Sequence, residues 1–131
     1  MRVFFILLMA SFVLNAAPGR FTGQWVAKLK GSVICTLEIE EPGGKIAGVS
    51  KSCHISVDQN GELLEAGVIE KDQDPLPFFN PKADGSTLTY ELLEDDGERM
   101  KFEFKLTAEG KADLRFLSAP IAIKPIHFER Q

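Results

Sequence analysis

Apolar and polar residues alternate one for one along most of this chain, and turns that contain glycine interrupt the alternation at fairly regular intervals. The clearest stretch is 99–107, where Met100, Phe102, Phe104 and Leu106 alternate with charged or polar residues. A period of two places the two sets of side chains on opposite faces of a β-strand, so one face is buried and the other is solvated. We therefore predict an all-β, antiparallel fold without a long helix.

Turn motifs indicate where the strands end. Asn60-Gly61 and Asp96-Gly97 are typical of tight hairpins, because type I′ turns need positive φ at both central positions. The motifs divide the chain into eight predicted strands, 21–30, 32–40, 45–57, 62–70, 86–94, 98–107, 110–118 and 121–129. Consecutive hairpins favour an eight-stranded antiparallel up-and-down β-barrel, which leaves no exposed edge, with a β-sandwich as the alternative.

The first 17 residues have the organisation of a secretory signal peptide. Arg2 precedes an apolar run over 3–14, and small residues follow at Ala16 and Ala17. The run is shorter than the roughly 20 residues that a membrane-spanning helix needs, although a retained anchor is the alternative. We expect a signal peptide over 1–17 and a single barrel domain over 18–131. The protein would then be exported to the periplasm or the extracellular space, with no membrane span in the mature chain.

The mature chain is acidic. Without residues 1–17 it carries 14 basic and 19 acidic residues, a formal net charge of −5. Nucleic-acid binding through phosphate neutralisation needs a basic face, so we expect no nucleic-acid partner.

Two cysteines, Cys35 and Cys53, follow the signal peptide. In an oxidising compartment an even number of cysteines favours a disulfide. If Glu40 and Lys45 flank a four-residue turn, Cys35 faces Ser50 and the two thiols lie on opposite faces of the sheet. A β-bulge would bring them closer, so a Cys35–Cys53 disulfide and two buried thiols both remain open.

Residues suited to catalysis or metal binding form no recognisable pattern. His54 follows Cys53 directly, so their side chains point to opposite faces of a strand and cannot pair. The cysteine and histidine spacing matches no known metal motif, and the acidic residues of the predicted strands face outward. We expect no enzyme activity, no catalytic residue, no cofactor and no metal.

An unusual segment over 72–81 combines three prolines with apolar side chains at Leu76, Phe78 and Phe79. Proline has no N–H to donate to a strand ladder, so we predict a loop here rather than a central strand. One interpretation is a lid whose aromatic rings cap the core. The other is an exposed apolar loop over 75–81 that contacts a ligand or a partner protein.

The stretch from Phe21 through Gly23 and Trp25 to the apolar alternation of the second strand resembles the opening of lipocalin-like (calycin-type) barrels. The chain is most similar to small exported bacterial lipocalin-like domains of unassigned function. In that family a Gly-x-Trp motif on the first strand closes one end of the barrel, and a basic residue near the chain end packs on the indole. The resemblance implies these roles for Gly23, Trp25 and Arg130. The chain departs from the family in being shorter and in lacking a C-terminal helix.

The predicted barrel interior is bulky, with a lining of Leu29, Val33, Leu37, Leu88, Leu92, Met100, Phe102, Phe104, Leu114 and Phe116. Eight strands leave an interior that is either filled or holds one small ligand. Our first hypothesis is an exported, non-enzymatic binding module for a small apolar ligand in the barrel mouth. Its expected ligand-binding residues are Leu76, Phe78, Phe79, Tyr90, Phe102 and Phe104.

The alternative hypothesis is a structural or protein-interaction domain. Its barrel would be filled, and the aromatic loop 75–81 would bind an envelope protein. In both cases we expect a monomer.

Overall fold

Antiparallel pairing joins most of the chain into one curled sheet in the computed structural model, which describes residues 20–52, 55–67, 69–70, 72–119 and 122–131. The predicted signal peptide and Cys53 lie outside the described residues. The strands are β1 (Gly23–Leu29), β2 (Ser32–Glu40), β3 (Ala47–Ser52), β4 (Ile55–Val57), β5 (Leu63–Ala66), β6 (Leu76–Pro77), β7 (Phe79–Asp84), β8 (Thr87–Leu93), β9 (Arg99–Ala108), β10 (Lys111–Phe116) and β11 (Ile126–Arg130). A short 3-10 helix spans Pro42–Gly44.

The order of the strands shows how the sheet closes on itself. Among the described residues the main sheet has nine strands in the order β6-β3-β2-β1-β11-β10-β9-β8-β7. Its two outermost strands, β6 and β7, are consecutive in the chain and flank Phe78. One segment therefore lines both edges, and the sheet forms a nearly closed barrel. The prediction of an all-β, antiparallel up-and-down barrel is confirmed, with nine strands in the main sheet instead of eight.

The segment 75–81, which the sequence predicts to be a loop, forms part of the barrel wall. Pro77 pairs with β3 at one edge of the sheet. Pro81 lies between Phe79 and Lys82, where the register of β7 against β8 shifts. Proline is tolerated at sheet edges and at bulges, because no ladder hydrogen bond is lost there. The loop prediction was wrong because the prolines stand at the seam of the barrel and not inside a regular ladder.

Within the described residues, the predicted strand 62–70 is not part of the barrel sheet. Its ordered part, β5, pairs with β4 in a separate two-stranded sheet. The turn of this hairpin contacts the segment before β11, because the Gly61 carbonyl accepts the Lys124 N–H over 2.8 Å and Lys124 Nζ lies 2.6 Å from Glu62. The position that 62–70 would have filled in the barrel is taken by β6 and β7.

A β-bulge in β2 changes which side chains face the interior. The register against β1 shifts after the pair Ala27–Cys35, so that Val33 pairs with Lys28 and Ile34 is the extra residue. Ile34 and Cys35 are both buried, whereas Val33 is 37% exposed. A bulge places two successive residues against one partner, so the prediction of Val33 as an interior residue was wrong.

The β2–β3 hairpin has a longer turn than the sequence suggests. Glu40 pairs with Ala47, and Cys35 therefore faces Ser52 rather than Ser50. Because Cys53 lies outside the described residues, the disulfide stays a prediction.

Candidate functional site

One end of the barrel is closed by Trp25, whose side chain is fully buried. The indole N–H donates to the Phe21 carbonyl over 2.9 Å. The Arg130 guanidinium lies 4.5 Å from the ring centroid and also donates to the Arg20 carbonyl. A cation on an indole face is attracted by the ring quadrupole. This contact therefore stabilises the closed end, which we call the barrel floor.

Gly23 allows the floor to form. Its φ is 137°, a conformation that side chains disfavour, and a Cβ there would lie 3.4 Å from Cγ and Cδ of Arg130. Trp25 and Arg130 are directly paired across β1 and β11. The three residues that the family resemblance assigns to the closed end thus lie together.

Aromatic rings fill the half of the barrel next to the floor. Phe104 meets Trp25 edge to face with ring centroids 5.0 Å apart, and Phe128 meets Phe104 in the same way at 5.7 Å. All three side chains are buried. Phe104, which the sequence predicts to bind ligand, therefore belongs to the filled half.

The other half of the barrel contains a cavity of ≈ 320 Å³. Its apolar lining is Ile34, Leu76, Leu92, Met100, Phe102, Leu114, Phe116, Ile123 and Ile126. Its remaining lining is Cys35, Ser50, Ser52, Tyr90 and Glu94. A cavity of about 150 Å³ with apolar walls holds a benzene molecule, so this one has room for a two-ring molecule.

Small residues of β3 account for the empty space. Ser50 pairs with Leu37 and is buried, whereas Ser52 pairs with Cys35 and is exposed at the rim of the cavity. The lining residues of β8, β9 and β10 are bulky, namely Leu92, Met100, Phe102, Leu114 and Phe116, apart from Tyr90. A wall of serines against a wall of bulky side chains leaves the interior incompletely filled on the β3 side.

A row of aromatic rings from β8, β9 and β10, extended by Phe78, forms one side of the wall around the cavity. Phe78 stacks on Tyr90 with ring centroids 3.9 Å apart, and Tyr90 stacks on Phe102 at 5.5 Å. Phe116 meets Phe102 edge to face at 5.1 Å. Phe78 also covers Gly48, since a Cβ on that glycine would lie 2.4 Å from the ring. These contacts hold the aromatic side of the cavity in place.

Tyr90 remains a neutral phenol over a wide pH range. Burial raises its pKa well above the ordinary value, and the nearby Cys35 thiol raises the pKa further. Because Cys35 also lines the cavity, the phenol offers a neutral hydrogen-bonding group in that region.

Glu94 brings a carboxyl group to the end of the barrel opposite the floor, which we call the mouth. It follows β8 at the start of the turn that leads into β9. Partial burial, together with the carboxylates of Asp96 and Asp95, raises the pKa of Glu94. The mouth is therefore bordered on one side by three acidic residues in sequence.

The structure separates the six predicted ligand-binding residues. Leu76, Tyr90 and Phe102 line the cavity. Phe78 packs into the wall through Tyr90, as described above. Phe79 faces outward, where the Arg99 guanidinium lies 4.7 Å from its ring centroid.

Ser50 and Glu94 were not predicted to line the cavity, and the expectation that the acidic residues of the predicted strands face outward is wrong for Glu94. Glu94 continues the alternation of Leu88, Tyr90 and Leu92, so the period of two was the signal that could have found it. Ser50 carried no such signal, because its position depends on the register of β3 against β2.

A wider groove of ≈ 450 Å³ lies outside the barrel. It is lined by residues of β1, β2 and β3 together with Ile69 and Pro75, and Glu38 and Lys51 are among its lining residues. Its lining mixes charged with apolar side chains, whereas the interior cavity is mostly apolar, as small-molecule sites are.

His127 and Asp113 form a close pair on the outer face of β10 and β11, with Nδ1 and Oδ1 2.5 Å apart. The histidine side chain is 82% exposed. Among the described residues no group of three or more His, Cys, Asp or Glu side chains could hold a metal ion. Within the same ranges, no helix has the length and apolar character needed to cross a membrane.

The fold and the site together define a nearly closed antiparallel β-barrel with one closed end and an apolar cavity near the other. This architecture is compatible with a calycin or lipocalin-like fold. Comparisons of the chain with protein-family models, curated proteins and solved structures found no match.

Proposed function

We propose that this protein is an exported, non-enzymatic binding module of the lipocalin-like kind, which takes one small apolar molecule inside its barrel. The observation that carries the proposal is the ≈ 320 Å³ cavity with its mostly apolar lining. Cavities of this kind, with a few polar groups among apolar walls, are typical of small-molecule sites.

The rigidity of the site supports the same proposal. The stack of Phe78, Tyr90 and Phe102 forms one wall of the cavity without a ligand. A preformed wall lowers the free-energy cost of ordering side chains when a ligand binds. The contact between Arg130 and Trp25 keeps the opposite end closed, so that a ligand would enter at the mouth.

Two features outside the cavity contribute the rest of the proposal. The segment 1–17 has the pattern of a signal peptide, which supports export to the periplasm or the extracellular space. The arrangement of Gly23, Trp25 and Arg130 supports the lipocalin-like assignment.

The alternative, a filled barrel that binds an envelope protein through 75–81, has less support. The Phe78 ring packs against Tyr90, and the Arg99 guanidinium lies on the Phe79 ring. The segment therefore offers fewer free aromatic surfaces than its sequence suggests.

Calorimetric titration with 2-naphthylmethanol, a neutral two-ring molecule, tests the proposal. We expect one molecule bound per chain. Met100→Trp places a larger ring in the cavity and should weaken binding by at least about tenfold, which corresponds to about 1.4 kcal/mol. The matched control is Leu93→Trp, because Leu93 lies on the same hairpin and is 41% exposed on the outside.

Absence of binding to the native protein would overturn the proposal, and so would equal binding by Met100→Trp and the control. If Met100→Trp does not fold, Ser52→Leu serves as the second cavity variant, because Ser52 lines the mouth and its side chain is small. Each variant is accepted only when its unfolding transition is cooperative.

A further inference from the structure

The polar groups that line the cavity include an acidic residue but no basic one among the described residues. Glu94 is the lining residue with an ionisable carboxyl, and Asp95 and Asp96 follow it in the same turn. Ser50, Ser52 and Tyr90 add uncharged hydrogen-bonding groups. Among the described lining residues there is no lysine, arginine or histidine.

Three basic residues that flank lining positions in the sequence are paired with carboxylates instead. Arg99 lies 3.7 Å from Glu91, and Arg115 lies 3.6 Å from Glu103, both on the outer face of the sheet. The third, Lys124, lies 2.6 Å from Glu62 of the β4–β5 hairpin. These three cations are held by carboxylates, and Lys51 and Lys101, which also flank lining residues, line other grooves of the protein.

The charge distribution decides between ligand head groups. A carboxylate ligand would bring a second negative charge to the mouth, and the described lining offers no cation to pair with it. Desolvation of an unpaired charge is unfavourable. An ammonium group would instead form a charge-assisted hydrogen bond with the Glu94 carboxylate, which is stronger than a bond between neutral groups.

We propose that the natural ligand is a small apolar amine, bound with its hydrocarbon part in the cavity and its ammonium group at Glu94. This inference rests on the proposed function, because it assumes that the cavity is a binding site. The size of the cavity limits the apolar part to about one or two rings, or to a short alkyl chain.

The partial burial of Glu94 supports this assignment. Burial and the neighbouring Asp96 and Asp95 raise the pKa of Glu94, so ionisation of its carboxyl is less favourable than in water. A bound cation would compensate for both effects, because an opposite charge nearby favours the ionised carboxyl.

Three naphthalene derivatives that differ only in their polar group test the proposal: 2-naphthylmethylamine, 2-naphthylmethanol and 2-naphthoate. We measure their affinities for the full chain by calorimetry at physiological ionic strength. The amine should bind about tenfold more tightly than the alcohol, the difference between a charge-assisted and a neutral hydrogen bond. The naphthoate should bind most weakly.

Glu94→Gln is the decisive variant, and Glu98→Gln is its matched control from the same turn. Glu98 is exposed and does not line the cavity. Glu94→Gln should remove the advantage of the amine and leave the affinity for the alcohol unchanged, whereas Glu98→Gln should change neither.

The outcomes separate this inference from the proposed function. If the alcohol binds but the amine has no advantage, or if the naphthoate binds most tightly, the amine proposal is overturned while the cavity site stands. An advantage of the amine that persists in Glu94→Gln also overturns it. If none of the three compounds binds the native protein, the proposed function itself fails.

Discussion

At the scale of single residues, the contact between Arg130 and Trp25 joins the last strand of the barrel to the first. The guanidinium covers one face of the only tryptophan in the sequence and also binds the Arg20 carbonyl. The contact spans almost the whole described chain. It therefore forms only when both ends of that chain are in place.

We expect Arg130→Ala to lower the free energy of unfolding by about 1–2 kcal/mol, because it removes a cation from a buried indole face and a hydrogen bond. Urea unfolding, followed by Trp25 fluorescence, measures the change. The control is Arg115→Ala, whose exposed ion pair with Glu103 should contribute less than about 1 kcal/mol. Equal effects of the two substitutions would show that the contact with Trp25 contributes no special stability.

Tyr90 provides a second test at this scale, because it is the only tyrosine in the sequence. Burial raises the pKa of its phenol in the folded protein, whereas the unfolded chain has a tyrosine pKa of about 10. The folded state then holds the proton more tightly. The contribution of Tyr90 to stability is complete below the unfolded pKa and falls as the pH rises above it.

The ordinary pKa of tyrosine is about 10. We therefore expect the ultraviolet absorbance of the Tyr90 phenolate to appear only at a pH well above this value, or together with unfolding. Far-ultraviolet circular dichroism on the same samples identifies unfolding. Phenolate that forms near the ordinary pKa in a folded protein would show that the ring is accessible to water.

At the scale of elements, the seam between β3 and the β6–β7 segment is held by short pairing. β6 pairs with β3 at Leu76 and Pro77, and the Phe78 N–H donates to the Gly48 carbonyl over 2.9 Å. The Phe78 ring then lies directly over Gly48. The closure of the barrel thus depends on a glycine that leaves room for an aromatic ring.

Gly48→Ala should lower the free energy of unfolding by about 1–3 kcal/mol, the usual cost of overpacking a filled site. A Cβ at this position would lie 2.4 Å from the Phe78 ring, so the ring or the strand must move. The measurement is a double-mutant cycle with Phe78→Ala. The glycine substitution should cost much less in the Phe78→Ala background, and equal costs in both backgrounds would contradict the contact.

Regular elements were the most predictable part of this protein. The alternation in 99–107 corresponds to β9, and the hairpins at Gly97 and Gly110 connect the strands that the sequence indicated. Local periodicity does not determine which strand closes the barrel. That the barrel is completed by 76–84 and not by 62–70 depends on long-range strand pairing. The two prolines of 76–84 made this segment look unlike a strand in the sequence.

At the scale of the whole molecule, the barrel has two halves with different packing. Buried aromatic rings fill the half next to Trp25, whereas serines of β3 leave a cavity in the half next to Glu94. The sequence shows that β3 carries small residues. Whether those residues leave a cavity depends on the register, which places Ser50 and Ser52 opposite buried partners. For this reason the barrel could be predicted from the sequence, but its cavity could not.

A methyl NMR titration with 2-naphthylmethanol tests the central claim most directly, because ring-current shifts report where an aromatic molecule lies. We predict saturable shifts at Leu92, Leu114 and Ile126, which line the cavity. The methyls of Leu88 and Ile39, which are buried outside the cavity lining, should change little. Shifts confined to exposed methyls such as those of Leu117, or no shifts at all, would contradict a binding site inside the barrel.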